Sequence, residues 1–223
     1  GIRLPVINQK VVDLGSPKRG DVVVFKAPMS NGTDYIKRVI GLPGDVIQMR
    51  DGILEINGVA VKKERIADLV IPVTQNMRET AEMDRNPFPC WRPDMEEASP
   101  DGGTQCRYPR FRETLPEGKS YEILDLSNGL EGDNTEAFVV GEKDVFLMGD
   151  NRDHSADSRA PLWANGLGGP VPLTDVERGA FAKQVAALIR KPGTTLVDLL
   201  AGTQSQVAAE TKKLNPFYLT QTT

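Results

Sequence analysis

The sequence predicts a mainly β chain with a helical C-terminal tail. Short runs rich in β-branched and aromatic residues, at 21–25, 35–40, 121–124 and 137–140, are bounded by turn residues, as strands are. Asn57-Gly58 separates the apolar runs 53–56 and 59–61, the two-residue signal of a type I′ antiparallel hairpin. Helical spacing of apolar residues begins beyond residue 174.

In chain order, Ser16-Pro17-Lys18-Arg19-Gly20 reads as a turn leading into the first strand. The strand at 35–40 stops at Gly41-Leu42-Pro43-Gly44. The hairpin at 53–61 follows. Residues 84–118 are rich in Pro, Gly and charge and are expected to be a long excursion with little regular structure. The apolar run Val145-Phe146-Leu147-Met148 reads as a strand feeding a polar loop. Thr174-Asp175-Val176-Glu177 reads as a capping box, with apolar residues at Val176, Ala180, Phe181, Val185, Leu188 and Ile189 behind it. Lys191-Pro192-Gly193 would end that helix, and a second helical stretch is expected at about 196–214. A helix packed on the core fits this pattern better than one lying on a membrane, because its polar face is only weakly basic.

Composition narrows the class. Charged residues make up 26% and hydrophobic residues 39%, so the chain is globular rather than disordered. The net charge of −4 gives no basic footprint for nucleic acid. No apolar run approaches the length needed to cross a bilayer. Cys90 and Cys106 flank a floppy segment and could pair across it, or could be two unpaired thiols. With one histidine elsewhere they cannot complete a structural zinc site.

Residues 149–159, Gly-Asp-Asn-Arg-Asp-His-Ser-Ala-Asp-Ser-Arg, hold the densest polar chemistry in the chain. By itself such a loop reads either as a tight turn tied by Asp and Arg side chains or as a place where a strand end presents functional groups. The acids at 150, 153 and 157 lack the alternating spacing of a calcium loop, so no metal is expected.

Two further boxes decide between these readings: Arg-Gly-Asp-Val-Val-Val-Phe at 19–25, and Tyr-Ile-Lys-Arg-Val-Ile-Gly-Leu-Pro-Gly-Asp at 35–45. Together with the 149–159 loop, in this order, they resemble the conserved boxes of bacterial type I signal peptidase (leader peptidase), a serine endopeptidase family with a Ser/Lys dyad. The resemblance covers about 15–48 and 138–175. It implies an antiparallel β catalytic core from 1–48 and 142–173, interrupted by an inserted β subdomain at 49–141 that carries the Cys90/Cys106 loop. Residues 174–223 depart from the family's pattern.

The resemblance makes Lys37 the general base, a role that requires burial to lower the ammonium's pKa. Without it, a mid-strand lysine reads as the guard of an exposed edge. Ser155 matches the serine that hydrogen-bonds and orients that lysine. Asp157 and Arg159 match a pair that stiffens the loop by a salt bridge. Asp150, Asn151, Arg152 and Asp153 are expected to hold the turn, with Gly149 giving the backbone room. Arg38 reads as a structural cation for one of the loop aspartates. His154 titrates in a useful range, but the family's mechanism needs no histidine. The periplasmic face implied by the resemblance favours the Cys90–Cys106 disulfide.

The nucleophile is expected elsewhere. The family carries it in a Ser-Met-x-Pro box just after a transmembrane segment, and none of the residues before Lys37 form that box. Ser16 lies in a turn, and Ser30 follows Met29 in the wrong order. The expectation is therefore a piece of a longer protein, inactive as it stands, whose upstream anchor holds it to the periplasmic side of the cytoplasmic membrane. Its partners would be precursor proteins bearing signal peptides, with no cofactor and no nucleic acid. Two other readings are a specialised Ser/Lys maturation peptidase of the pilus or conjugation type, and a non-catalytic peptide-binding relative that has lost the nucleophile.

Overall fold

The computed structural model of the chain describes residues 2–3, 10–12, 17–26, 34–83 and 88–177. Its strands, in chain order, are β1 (Ile2–Arg3), β2 (Lys10–Val12), β3 (Val22–Lys26), β4 (Asp34–Gly41), β5 (Val46–Arg50), β6 (Ile53–Ile56), β7 (Val59–Ala60) and β8 (Lys62–Pro72). After the helix α1 (Gln75–Met83) come β9 (Glu96–Ala98), β10 (Thr104–Thr114), β11 (Ser120–Leu124), β12 (Phe138–Val139), β13 (Asp144–Met148), β14 (Val171–Pro172) and β15 (Val176–Glu177). Every strand ladder among the described residues is antiparallel, and the chain is mainly β.

The site stands on a five-stranded sheet ordered β14-β13-β4-β3-β15. β4 lies at its centre, with Lys37 opposite Val23 of β3 and Arg38 opposite Met148 of β13. The alternation of β4 sends its side chains into two different cores. Val39 packs with Val23, Phe25, Val145, Leu147 and Val171, whereas Ile40 joins Ile47, Leu54, Tyr121, Phe146 and Met148. A second sheet, β12-β5-β6-β7, contains the expected hairpin. Its Asn57 and Gly58 both have positive φ (54° and 76°), as a type I′ turn requires.

A third sheet overturns the expectation for 84–118. β10 spans eleven residues and pairs with β8, β9 and β11. Pro109 made this stretch look irregular. It lies where the β8–β10 register shifts between Tyr108 and Arg110, and a residue without an N–H is tolerated at such a bulge. Charge was the other misleading signal, because Arg107 and Arg110 turn outward and pair with Glu97 and Glu122. Among the described residues the expectation holds for 88–95, which include the short 3-10 turn Pro93–Met95, and for the turns at 99–103 and 115–118.

The capping box at 174–177 is also corrected. Val176 and Glu177 form β15, opposite Phe25 and Val24 of β3. Thr174 Oγ1 donates to Asp175 Oδ1 at 3.1 Å rather than capping a helix. Val176 packs against the β3–β4 core, and that burial outweighs a local helix-start signal. The rest of the expected helical tail lies outside the described residues.

Candidate active site

Lys37 is 2% exposed although it carries an ammonium group. It projects from β4, the central strand of the sheet, beneath the loop that follows β13. Burial is the main reason its pKa falls from 10.5 to about 8; Asp157 pulls it back up, Arg159 lowers it further and Asp150 raises it. Nζ also lies 5.6 Å from the centroid of the Tyr35 ring, two residues away on the same face. At about 8, roughly a tenth of Lys37 is neutral at pH 7, against about three parts in ten thousand at the ordinary value. A lysine held this way can take a proton from a hydroxyl near neutrality.

The loop after β13 closes over this lysine. A Cβ built on Gly149 would collide with Ser155 Oγ and stand 3.7 Å from Lys37 Nζ. Gly149 is thus the point at which the serine hydroxyl and the lysine approach each other. Ser155 Oγ is buried and has no hydrogen-bond partner among the described residues, so the Ser155–Lys37 bond expected from the sequence is not formed in this structure.

Asp157, 0% exposed, organises the loop. It accepts from the Gly149 amide at 2.9 Å, from the Arg159 amide at 3.1 Å, and from Arg159 Nε and Nη2 at 3.0 and 2.9 Å. Burial pushes its carboxyl up, but Arg159, Lys37 and the Gly149 amide together hold it below the usual value. Arg159 Nη2 also donates to the Arg152 carbonyl at 2.6 Å.

The other loop residues anchor it to its surroundings. Asp150 receives two hydrogen bonds from Arg38, at 2.8 and 2.5 Å. Arg152 points into the interior and binds both oxygens of Glu113. Asn151 is buried and makes a parallel bridge with Leu124. Asp153 Oδ2 accepts from the Leu126 and Ser127 amides at 2.6 and 2.9 Å. His154 meets Trp91 edge-on, with centroids 5.1 Å apart, and burial lowers its pKa. Trp91 follows Cys90, which forms a disulfide with Cys106.

Three carboxylates, Asp125, Asp133 and Asp153, place oxygens within 4.8 Å of one another, a grouping that could hold a metal ion. The Lys63 ammonium already pairs with Asp125 and donates to the Gly52 carbonyl at 2.9 Å, so the cluster has its own internal cation. Sequence reasoning missed this cluster, and it missed Glu113 and Tyr121. Apart from Asp153, none of them stands near the loop in the chain, so no local pattern could have marked the grouping.

The family model described as "Signal peptidase, peptidase S26" matches residues 3–183. The chain belongs to that family. Signal peptidase I of Rickettsia bellii (strain OSU 85-389) is 33% identical over 153 residues, which is 66% of this chain and 42% of that protein. Signal peptidase I of Pseudomonas fluorescens is 34% identical over 186 residues, covering 82% of this chain and 54% of that protein. The chain therefore spans about half the length of these curated relatives. A solved signal peptidase I from Enterococcus faecalis V583 aligns with 74% of this chain and 97% of its own at 25% identity, with a TM-score of 0.35.

Proposed function

We propose that this protein is a serine endopeptidase that removes signal peptides from exported precursors, with Lys37 as its general base. The observation that carries the reading is a lysine buried at the centre of a sheet, lowered to about 8, beneath the Gly149–Ser155 loop. In this reaction Lys37 Nζ removes the proton from a serine hydroxyl as its oxygen bonds to the scissile carbonyl carbon. The same nitrogen returns the proton to the departing amine when the peptide bond breaks, leaving an acyl-enzyme. It then deprotonates the water that releases the acyl group. Ser155 orients the lysine through a bond that forms in the complete enzyme, and Asp157 with Arg159 sets the electrostatics around it.

The nucleophile is assigned to a segment preceding residue 1, as the sequence resemblance implies. The substrate is an extended segment with small residues before the cut, of the Ala-x-Ala type. Anchoring to the cytoplasmic membrane, with this domain on the periplasmic side, is part of the same reading. Among the described residues no helix is long and apolar enough to cross a membrane.

The test is cleavage of a precursor bearing an Ala-x-Ala site by the full-length protein and by its Lys37→Met variant. The expected result is a cut after the second alanine that the variant loses by about 10⁴-fold or more. Cleavage that survives the substitution would remove Lys37 from the mechanism. A panel of unrelated precursors separates a general signal peptidase from a specialised maturation enzyme.

A further inference from the structure

The β10–β11 hairpin carries the most deeply buried acid next to the loop. Glu113 stands opposite Tyr121 in the hairpin register and is 0% exposed. Its carboxylate accepts the Tyr121 phenol at 2.6 Å, Arg152 Nη1 at 2.7 Å, and Arg152 Nη2 as well. A two-point grip of this kind fixes both the position and the plane of the guanidinium. Arg152 is three residues before Ser155, so the hairpin holds the loop from within.

Two arms lead from this pair toward the lysine. Along the first, the Arg152 carbonyl accepts from Arg159 Nη2, Arg159 grips Asp157, and Asp157 holds the Gly149 amide. Along the second, the Tyr121 ring lies 4.3 Å from the Arg38 guanidinium, and Arg38 grips Asp150. The Leu124 amide, at the end of β11, donates to the Asp150 carbonyl at 2.9 Å. The charges that act on Lys37 are Asp157, Arg159 and Asp150, and all three belong to these arms.

We propose that Glu113 is a positioning residue for Lys37, acting through Arg152 and the Asp157–Arg159 pair to set the loop's charges around the lysine. This rests on the reading of Lys37 as the general base. A residue that merely stabilised the fold would change the melting temperature and leave the titration of Lys37 alone. A positioning residue changes that titration, because a loosened loop admits water and relieves the burial that lowers the lysine.

Lys37 is followed by the ¹³Cε resonance of labelled lysine in the 223-residue chain, assigned by its loss in Lys37→Met. Removing one member of the buried pair strands the other, so the main variant, Glu113→Gln/Arg152→Met, neutralises both. Its Lys37 midpoint is expected to rise from about 8 toward 10.5, by about one pH unit. Tyr121→Phe keeps the ring beneath Arg38 and drops only the phenol's bonds to Glu113 and Arg152. It is expected to move the midpoint the same way by a smaller amount, and it decides the matter if the double variant does not fold. A folded variant whose Lys37 midpoint stays where it is in the parent chain overturns the proposal.

The titration needs no substrate, so its outcome is independent of whether the full-length protein cleaves precursors. Where cleavage is observed, the double variant is expected to lower kcat about tenfold with KM little changed, and to move the acidic limb of the pH profile upward with the lysine.

Discussion

Asp157 accepts the backbone amide of Gly149 at 2.9 Å, tying together two points of the loop across the face where Lys37 lies. An ionised carboxylate offers about four lone-pair sites. Gly149 takes one, and the Arg159 amide, Nε and Nη2 take the rest. The acid beside Lys37 therefore attracts it through space but has no site left with which to bind it. Desolvation of the lysine goes largely uncompensated, and the ammonium is lowered rather than locked in a salt bridge.

The lysine should cost the fold stability at neutral pH. In the unfolded chain it keeps its ordinary value of 10.5; in the folded chain it titrates at about 8. Above 10.5 both states are neutral and nothing is lost. As the pH falls toward 8 the unfolded chain binds the proton first, and below 8 the full cost is in place, about 3 kcal/mol. Lys37→Met should therefore be more stable than the parent at pH 7, with the difference shrinking as the pH rises through 10.5. Urea unfolding at both ends of that range checks it, and a pH-independent difference would mean that Lys37 is not desolvated.

Gly149→Ala should break the loop. The added methyl meets Ser155 Oγ and Cβ, atoms of a side chain that is itself held in a packed loop. Overpacking of this kind costs about 1–3 kcal/mol. Thermal unfolding should show that loss, and Gly149→Ala/Ser155→Gly, which removes the obstructing side chain, should recover most of it. Failure of the second change to restore stability would locate the strain somewhere other than at Ser155.

Lys63→Met should expose the repulsion among Asp125, Asp133 and Asp153. Burial raises the Asp153 carboxyl, and the other two acids raise it further. A carboxyl raised in the folded state costs stability above its folded pKa, and that cost is relieved as the pH falls and it takes up a proton. The variant should lose about 3 kcal/mol at pH 7, the scale for removing one partner of a buried pair, and regain part of it by about pH 5. Urea unfolding at the two values measures this; an equal loss at both would show that the three acids do not sense one another.

The parts of the fold legible in the sequence were those whose signal is local. Asn57-Gly58 specifies its hairpin because the backbone itself demands positive φ. The two boxes around Lys37 and Ser155 were legible as strand and loop because alternation and turn residues lie within a few positions. β8 was missed, since Lys62–Pro72 begins with exposed charges and shows no clean alternation. Helix α1 was missed because only Thr80 is buried on it, so no apolar face marks the period. Glu113 and Arg152 were out of reach for a different reason. Their pairing depends on how a hairpin packs against a loop 39 positions away, which no local pattern encodes.

One consequence of the strand order concerns β14 and β15, which stand at opposite ends of the five-stranded sheet. Laid flat, those ends would be about 19 Å apart at the usual strand spacing. From Pro172 to Val176 the chain reaches at most about 14 Å even fully extended. It is in fact bent there, with the Asp175 amide bonded to the Pro172 carbonyl at 3.0 Å. The sheet therefore cannot lie flat: it curls enough to bring its two margin strands within reach of one short turn, and residues 173–175 are the covalent link between them. A protease nick at that turn would leave each margin strand held to the sheet by two residue pairs, so β14 and β15 would part from each other while the β3–β4–β13 wall kept its register.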